Sequence, residues 1–194
     1  MTRADYAVIA GWVPPNSRIL DLGCGGGELL KFLHEERNTG GYGVEIDPGG
    51  ILACFKNGVN VIQMDLESGL SGFGPSSFDC VILSQTLQAM WNTELMMREM
   101  LRVGREAIVT FPNFGYWRHR LDILRGHMPV SPDLPYQWFN TPNIHLCTLT
   151  DFEDLCRRLG VRILERLVLS NGEVVNTLPN LLGSLAIYRI KAAT

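Results

Sequence analysis

No stretch of this 194-residue chain comes near the ~18 apolar residues that a membrane-spanning helix needs. The apolar part of the N-terminal run MTRADYAVIAGWVPP is too short for a secretory leader, so a cytoplasmic protein is expected. An excess of base is lacking as well. The 17 Lys and Arg against 20 Asp and Glu leave a net charge of −3, which speaks against a nucleic-acid partner. Cysteine has no pattern: Cys24, Cys54, Cys80, Cys147 and Cys156 never fall in C-x-x-C spacing. Neither a metal site nor a disulfide frame is expected, only buried free thiols. Repeats, low-complexity tracts and linkers are missing too, which leaves a single domain.

What is present is an alternation. RILDL (18–22), YGVEI (42–46), VNVIQM (59–64), FDCVILS (78–84) and EAIVTFP (106–112) are short, apolar and rich in β-branched residues, as suits strands of a parallel sheet covered on both faces. Helical patterns lie between them. Leu29, Leu30 and Leu33 share one face in 28–36, and Met96, Met100 and Val103 form a stripe in 91–103. Core packing is the expected use of that methionine stripe, a promiscuous groove the alternative. The last third reads differently. Thr150-Asp151-Phe152-Glu153 has the form of a capping box before a helix that Gly160 stops. VRILERLVL (161–169) and SLAIYRI (184–190) follow with no long helix between them, so they are expected to pair antiparallel. The whole reads as a doubly wound α/β fold ending in an antiparallel hairpin.

In such sheets ligands sit at the carboxyl ends of strands. The first end is ILDLGCGGGELL, residues 19–30. A dinucleotide fingerprint needs G-x-G-x-x-G, and both frames fail, at Glu28 and at Leu30. A nicotinamide-dependent oxidoreductase is thereby disfavoured. What remains is D-x-G-x-G-x-G with Asp21 at the strand end. An acid there can accept from an ammonium group, while the glycines and the helix start can receive a carboxylate. The loop suits an amino-acid moiety. Glu45, at the second strand end, can accept from both hydroxyls of a ribose. Asp47 before Pro48 reads as a helix cap. Asp65, in QMDLESG, is either a turn cap or an acceptor for the exocyclic amine of adenine, with Ile46 and Leu66 as apolar walls for the ring.

LDLGCGGGELL, GVEID, MDLESGL and SFDCVILSQTLQAM, in that order, resemble the motifs of class I S-adenosylmethionine-dependent methyltransferases. The resemblance implies a Rossmann-like sheet of seven strands, mostly parallel with a C-terminal antiparallel hairpin. It also implies S-adenosylmethionine or S-adenosylhomocysteine as ligand. By resemblance Asp21, Gly23, Cys24, Gly25 and Gly27 would hold the methionine part, Glu45 the ribose, and Asp65, with Ile46 and Leu66 as walls for the ring, the adenine. Ser84 and Gln85 would lie beside the sulfonium. FPNFGYWRHRLDILRGHMP and LPYQWFNTPNIHLCTLTDFEDLCRRLGV further resemble the MetW family, extending the likeness to nearly the whole chain. That family resemblance implies bacterial methionine synthesis and a partner, homoserine O-acetyltransferase (MetX).

Whether methyl transfer occurs is left open. An Asn/Asp-Pro-Pro-Tyr/Phe loop after the fourth strand would mark amine methylation, but the chain has Ser84-Gln85-Thr86-Leu87. Leu87-Gln88-Ala89-Met90 stands where many related small-molecule enzymes carry a Glu-His pair, and it has no titratable group. The segment 113–149 reads as a lid or insert. Trp117, Leu121 and Leu124 would pack in the core or under the lid, and Arg118, His119, Arg120 and Arg125 would form a solvated face or meet a carboxylate. Arg118 and His145 are the weak catalytic candidates, His145 being equally a structural hydrogen-bonder. Prolines 129, 132, 135 and 142 with Tyr136, Trp138 and Phe139 make a stiff aromatic loop, suited to cover a cavity or to anchor an interface. Two functions are therefore carried forward: a nucleoside-binding partner of the acetyltransferase, and a methyltransferase acting on a small carboxylate-bearing metabolite.

Overall fold

The computed structural model describes residues 3–193; Met1, Thr2 and Thr194 lie outside the described residues. Five strands run parallel: β1 (Arg18–Leu22), β2 (Gly40–Glu45), β3 (Val61–Gln63), β4 (Phe78–Ser84) and β5 (Gly104–Pro112). β6 (Val161–Ser170), the two-residue β7 (Glu173–Val174) and β8 (Leu185–Ala192) complete the sheet in the order β3-β2-β1-β4-β5-β8-β6-β7. β8 is antiparallel to both β5 and β6. The antiparallel end is as the sequence implies, but the sheet has eight strands instead of seven. The extra one, β7, pairs at Leu169↔Val174 and Ser170↔Glu173 after the turn that closes β6, too short to leave a hydrophobic pattern.

Strand periodicity sorts β1 between two cores. Ile19 packs with Tyr6, Ile9, Leu29, Leu33 and Cys54 on the face of helices α1 (Ala4–Trp12), α2 (Glu28–Arg37) and α3 (Pro48–Lys56). Leu20 and Leu22 face the other side, with Met96, Met97 and Met100 of α4 (Thr93–Val103) and Phe152 and Cys156 of α6 (Leu149–Arg158). The methionine stripe is therefore core. On that side Phe111, Phe152 and Tyr188 close on one another with ring centroids 4.7–5.9 Å apart. The strand order reverses between β1 and β4, whose carboxyl ends lie side by side because Asp21 pairs in register with Ile82.

Two local expectations change. The capping box of α6 is Thr148 with Asp151, whose side chains take each other's backbone N–H, and not Thr150 with Glu153. In α5 (Trp117–Leu124) the apolar stripe faces outward, with Trp117 40% and Leu124 83% exposed. The buried side instead carries His119, 1% exposed, next to Tyr116. From Gly126 to Thr148 the chain has no helix and only the Ser131↔Leu134 bridge. Tyr136, Trp138 and Phe139 of this stretch are exposed.

Candidate functional site

The glycine loop after β1 is held against β2. Gly23 and Cys24 both donate their N–H to Val44 O, at 2.8 and 3.1 Å. Gly23 adopts φ +68°, and a Cβ there would stand 2.8 Å from the Thr86 side chain, so only glycine lets the turn after β4 close on this loop. Gly25 is the converse case. At φ +56° its Cβ position has nothing within 4 Å, leaving backbone open to a ligand. The Cys24 thiol is turned into the core against Gly43 and lies 3.7 Å from the Cys54 sulfur. Burial raises all five thiols above their usual range, Cys147 and Cys156 to about 12, so none is poised as a thiolate nucleophile.

Asp21 points to the α1–α2 side of the sheet and is 2% exposed. Among the described residues its Oδ1 has no hydrogen-bond partner. Burial pushes its carboxyl up to about 7; Glu45 and Glu28 push the same way, and Arg3 opposes them. A sealed, unpartnered acid of this kind is costly in the free protein and fits an incoming ammonium group.

Glu45 organises the rim. Its Oε2 accepts from Gly25 N at 2.8 Å, and its Oε1 from Ile46 N and Asp47 N at 2.8 and 2.9 Å. The structure thus joins Glu45 to the glycine loop and leaves part of its acceptor capacity open. Asp47 caps α3 through Gly50 N at 2.8 Å, as its place before Pro48 suggests. Asp65, one residue beyond Met64, accepts from Glu67 N at 2.9 Å through Oδ1 and caps the short turn Leu66–Ser68. Its other oxygen accepts no hydrogen bond among the described residues. Ile46 is exposed and Leu66 half-buried beside these acids. Ser84 Oγ lies 3.3 Å from Thr110 Oγ1. Gln85 has φ +53°, and its N–H is held by Thr110 O and Oγ1 at 2.9 and 3.0 Å. A left-handed glutamine is backbone strain at the strand end where a ligand is expected.

Arg3 is the residue the sequence did not single out. It stands at the start of α1, donates to Ser84 Oγ at 3.0 Å and to both oxygens of buried Asp5, and lies 4.9 Å over the Tyr6 ring. A cation near the N-terminus of an apolar helix gives no signal of this in sequence. The two weak catalytic candidates are not brought together. Arg118 lines a cavity with Gln85 and Tyr116. His145 lines a separate groove between the start of α4 and α6, with its Nε2 3.4 Å from Trp91 O. Gln88 links the regions: its Nε2 donates to Gln85 O at 2.7 Å, and its own carbonyl accepts from Ile144 N and His145 N. Among the described residues no cluster of three or more His, Cys, Asp or Glu is set to hold a metal ion, and no helix is long and apolar enough to cross a membrane.

A family model described as methionine biosynthesis protein MetW matches residues 3–190. The chain belongs to the MetW family. MetW likeness extends to a curated relative from Rhodopirellula baltica, the bifunctional methionine biosynthesis protein MetXA/MetW, 41% identical over 161 residues. That match covers 78% of this chain but 26% of the relative, so the chain spans about a quarter of the relative's length. Among solved structures, an S-adenosylmethionine-dependent methyltransferase from Mesorhizobium loti matches with a TM-score of 0.71 at 16% identity, covering 97% of each chain. The [4+2]-cyclase SpnF matches at 0.69 and 18% identity, covering 96% of this chain and 80% of that one. The class I methyltransferase fold is therefore established. A methyltransferase and a cyclase on one fold leave the reaction to be argued from the site.

Proposed function

We propose that this MetW-family protein binds S-adenosylmethionine or S-adenosylhomocysteine at the carboxyl ends of β1–β4 and supports a homoserine O-acetyltransferase (MetX) partner in methionine biosynthesis. The observation that carries the partnership is the Rhodopirellula relative, whose name joins MetXA and MetW in one chain. Tethering raises effective concentration to the order of millimolar, an advantage only for units that meet. The ligand is supported by the fit of the residues. Asp21, sealed and unpartnered, would receive the ammonium group; the open face of Gly25 admits the methionine backbone; Glu45 and Asp65 offer acceptors to ribose and adenine amine. When bound, the nucleoside supplies a sulfonium, or its demethylated thioether. The protein's own part is to orient it by these acids and to close Ser84 and Gln85 beside it. The bonds from Gln85 through Gln88 to Ile144 and His145 give a short route from the site to the segment 113–149. A ligand that favours one arrangement of that segment would bias the partner's activity.

The test is the partner's acetyltransferase activity with and without S-adenosylmethionine, using wild type and Glu45→Ala. A saturable response in wild type that disappears in the variant is expected; identical responses overturn the reading. A second reading, methylation of a small carboxylate-bearing metabolite, is favoured by Arg118 lining the cavity that Gln85 enters. Methyl-labelled S-adenosylmethionine incubated with a metabolite extract separates the two, because a binding subunit leaves no labelled product.

A further inference from the structure

Beside Gln85 and Arg3 lies a cavity of about 260 Å³. It is smaller than the ~300–1,000 Å³ sites that hold drug-sized ligands, a volume that suits a metabolite of amino-acid size. Leu169 and Leu185, both buried, contribute apolar surface. Four charged side chains line it: Arg3, Asp5, Arg118 and Asp133. Arg3 and Asp5 neutralise each other, since both Asp5 oxygens accept from the Arg3 guanidinium. Arg118 and Asp133 have no salt-bridge partner among the described residues, each other included. One unpaired cation and one unpaired anion therefore share a small cavity without touching.

Their placement is built from buried parts. Asn113 O accepts from the Nδ1–H of buried His119, at 3.2 Å. Burial lowers the pKa of His119, so it is neutral and its Nε2 accepts from Ser131 Oγ at 3.2 Å. Ser131 pairs with Leu134 through 2.9 and 3.0 Å backbone bonds, and buried Leu134 pins the turn that carries Asp133. Arg118, which lines the same cavity, is steadied by the Trp117 ring, 5.4 Å from its Cζ. A buried histidine spent on fixing an otherwise irregular surface turn points to work done at that turn.

We propose that this cavity binds a free α-amino acid as its zwitterion, with the carboxylate on Arg118, the ammonium on Asp133 and the side chain toward Leu169 and Leu185. The cavity adjoins the proposed nucleoside site through Gln85, rests on that reading only for its neighbour, and requires no methyl transfer. The test is calorimetric titration of the intact protein with the twenty protein amino acids, then with the N-acetyl and the carboxamide forms of any that binds. At least one free amino acid is expected to bind, and removal of either charge should weaken it tenfold or more. Arg118→Gln and Asp133→Asn, with unchanged melting temperatures, should each cost a similar factor, while Asp21→Asn should leave binding intact. No binding by any amino acid overturns the proposal. So does equal binding of the N-acetyl form, which marks a simple anion site, or loss of binding in Asp21→Asn alone, which marks the nucleoside site. Because the derivatives probe wild type, a variant that misfolds does not blunt the test.

Discussion

A carboxyl group at the end of β1 that finds no donor is favoured only if a ligand later offsets its desolvation. Asp21 keeps its proton up to about pH 7 in the native state, against about 4 for an exposed aspartate. Between those values the native protein holds a proton that the unfolded chain has released, so this group's contribution to stability falls as pH rises from about 4 to about 7. Asp21→Asn removes that dependence. Relative to wild type, its melting temperature should gain roughly 8–16 °C between pH 4 and pH 8, read by calorimetry at both values. The same variant should bind S-adenosylhomocysteine ~10–100-fold more weakly at pH 8, since a charge-assisted hydrogen bond contributes about 1.5–3 kcal/mol. In wild type the affinity should fall as pH drops below 7, because Asp21 must ionise to pair with an ammonium. A flat pH profile in wild type would mean that Asp21 does not meet the ligand. Gly23→Ala should also lose binding, because it combines a left-handed backbone with contact on Thr86.

The five parallel strands were readable because burial on both faces leaves continuous apolar runs, and RILDL and FDCVILS match β1 and β4 to the residue. Caps were less so. T-L-T-D-F-E offers two frames, and the earlier one prevails because it makes Leu149 the first helical residue, buried with Phe152 and Cys156. Tertiary packing, not the stronger Glu at the third position, sets where α6 begins. Thr148→Ala should therefore lower stability by about 1 kcal/mol, a drop of ~2–4 °C in melting temperature for a chain of this size. Thr150→Ala, which loses only a 3.0 Å bond from Asn180 Nδ2, should cost less than half as much; equal losses would restore the later frame. In α5 the Trp117, Leu121 and Leu124 stripe was the more conspicuous pattern, yet His119 turns inward. Its partners, Asn113 O and Ser131 Oγ, are supplied by chain six residues before and twelve after it, and no helical periodicity records them.

At the scale of the molecule, the acids proposed to face the ligand come from strand ends that lie far apart in sequence but adjacent in the sheet, which is why Asp21, Glu45 and Asp65 could be read together. Arg3 could not, because α1 reaches β4 only through the finished fold, where it bonds Ser84 across 81 positions. A site assembled from four strand ends and the first helix exists only in the native state, so a ligand there stabilises the whole domain. At a hundredfold excess over its dissociation constant that linkage is worth about 2.7 kcal/mol, or ~5–10 °C in melting temperature. S-adenosylhomocysteine should produce this shift and NAD none, since Glu28 and Leu30 stand where a dinucleotide turn needs its last glycine. Glu45→Ala should remove most of the shift without removing the transition itself, because Glu45 bonds only loop amides at the rim. A shift with NAD but not with S-adenosylhomocysteine would reassign the glycine loop to a dinucleotide. An unchanged shift in Glu45→Ala would move the ribose away from β2.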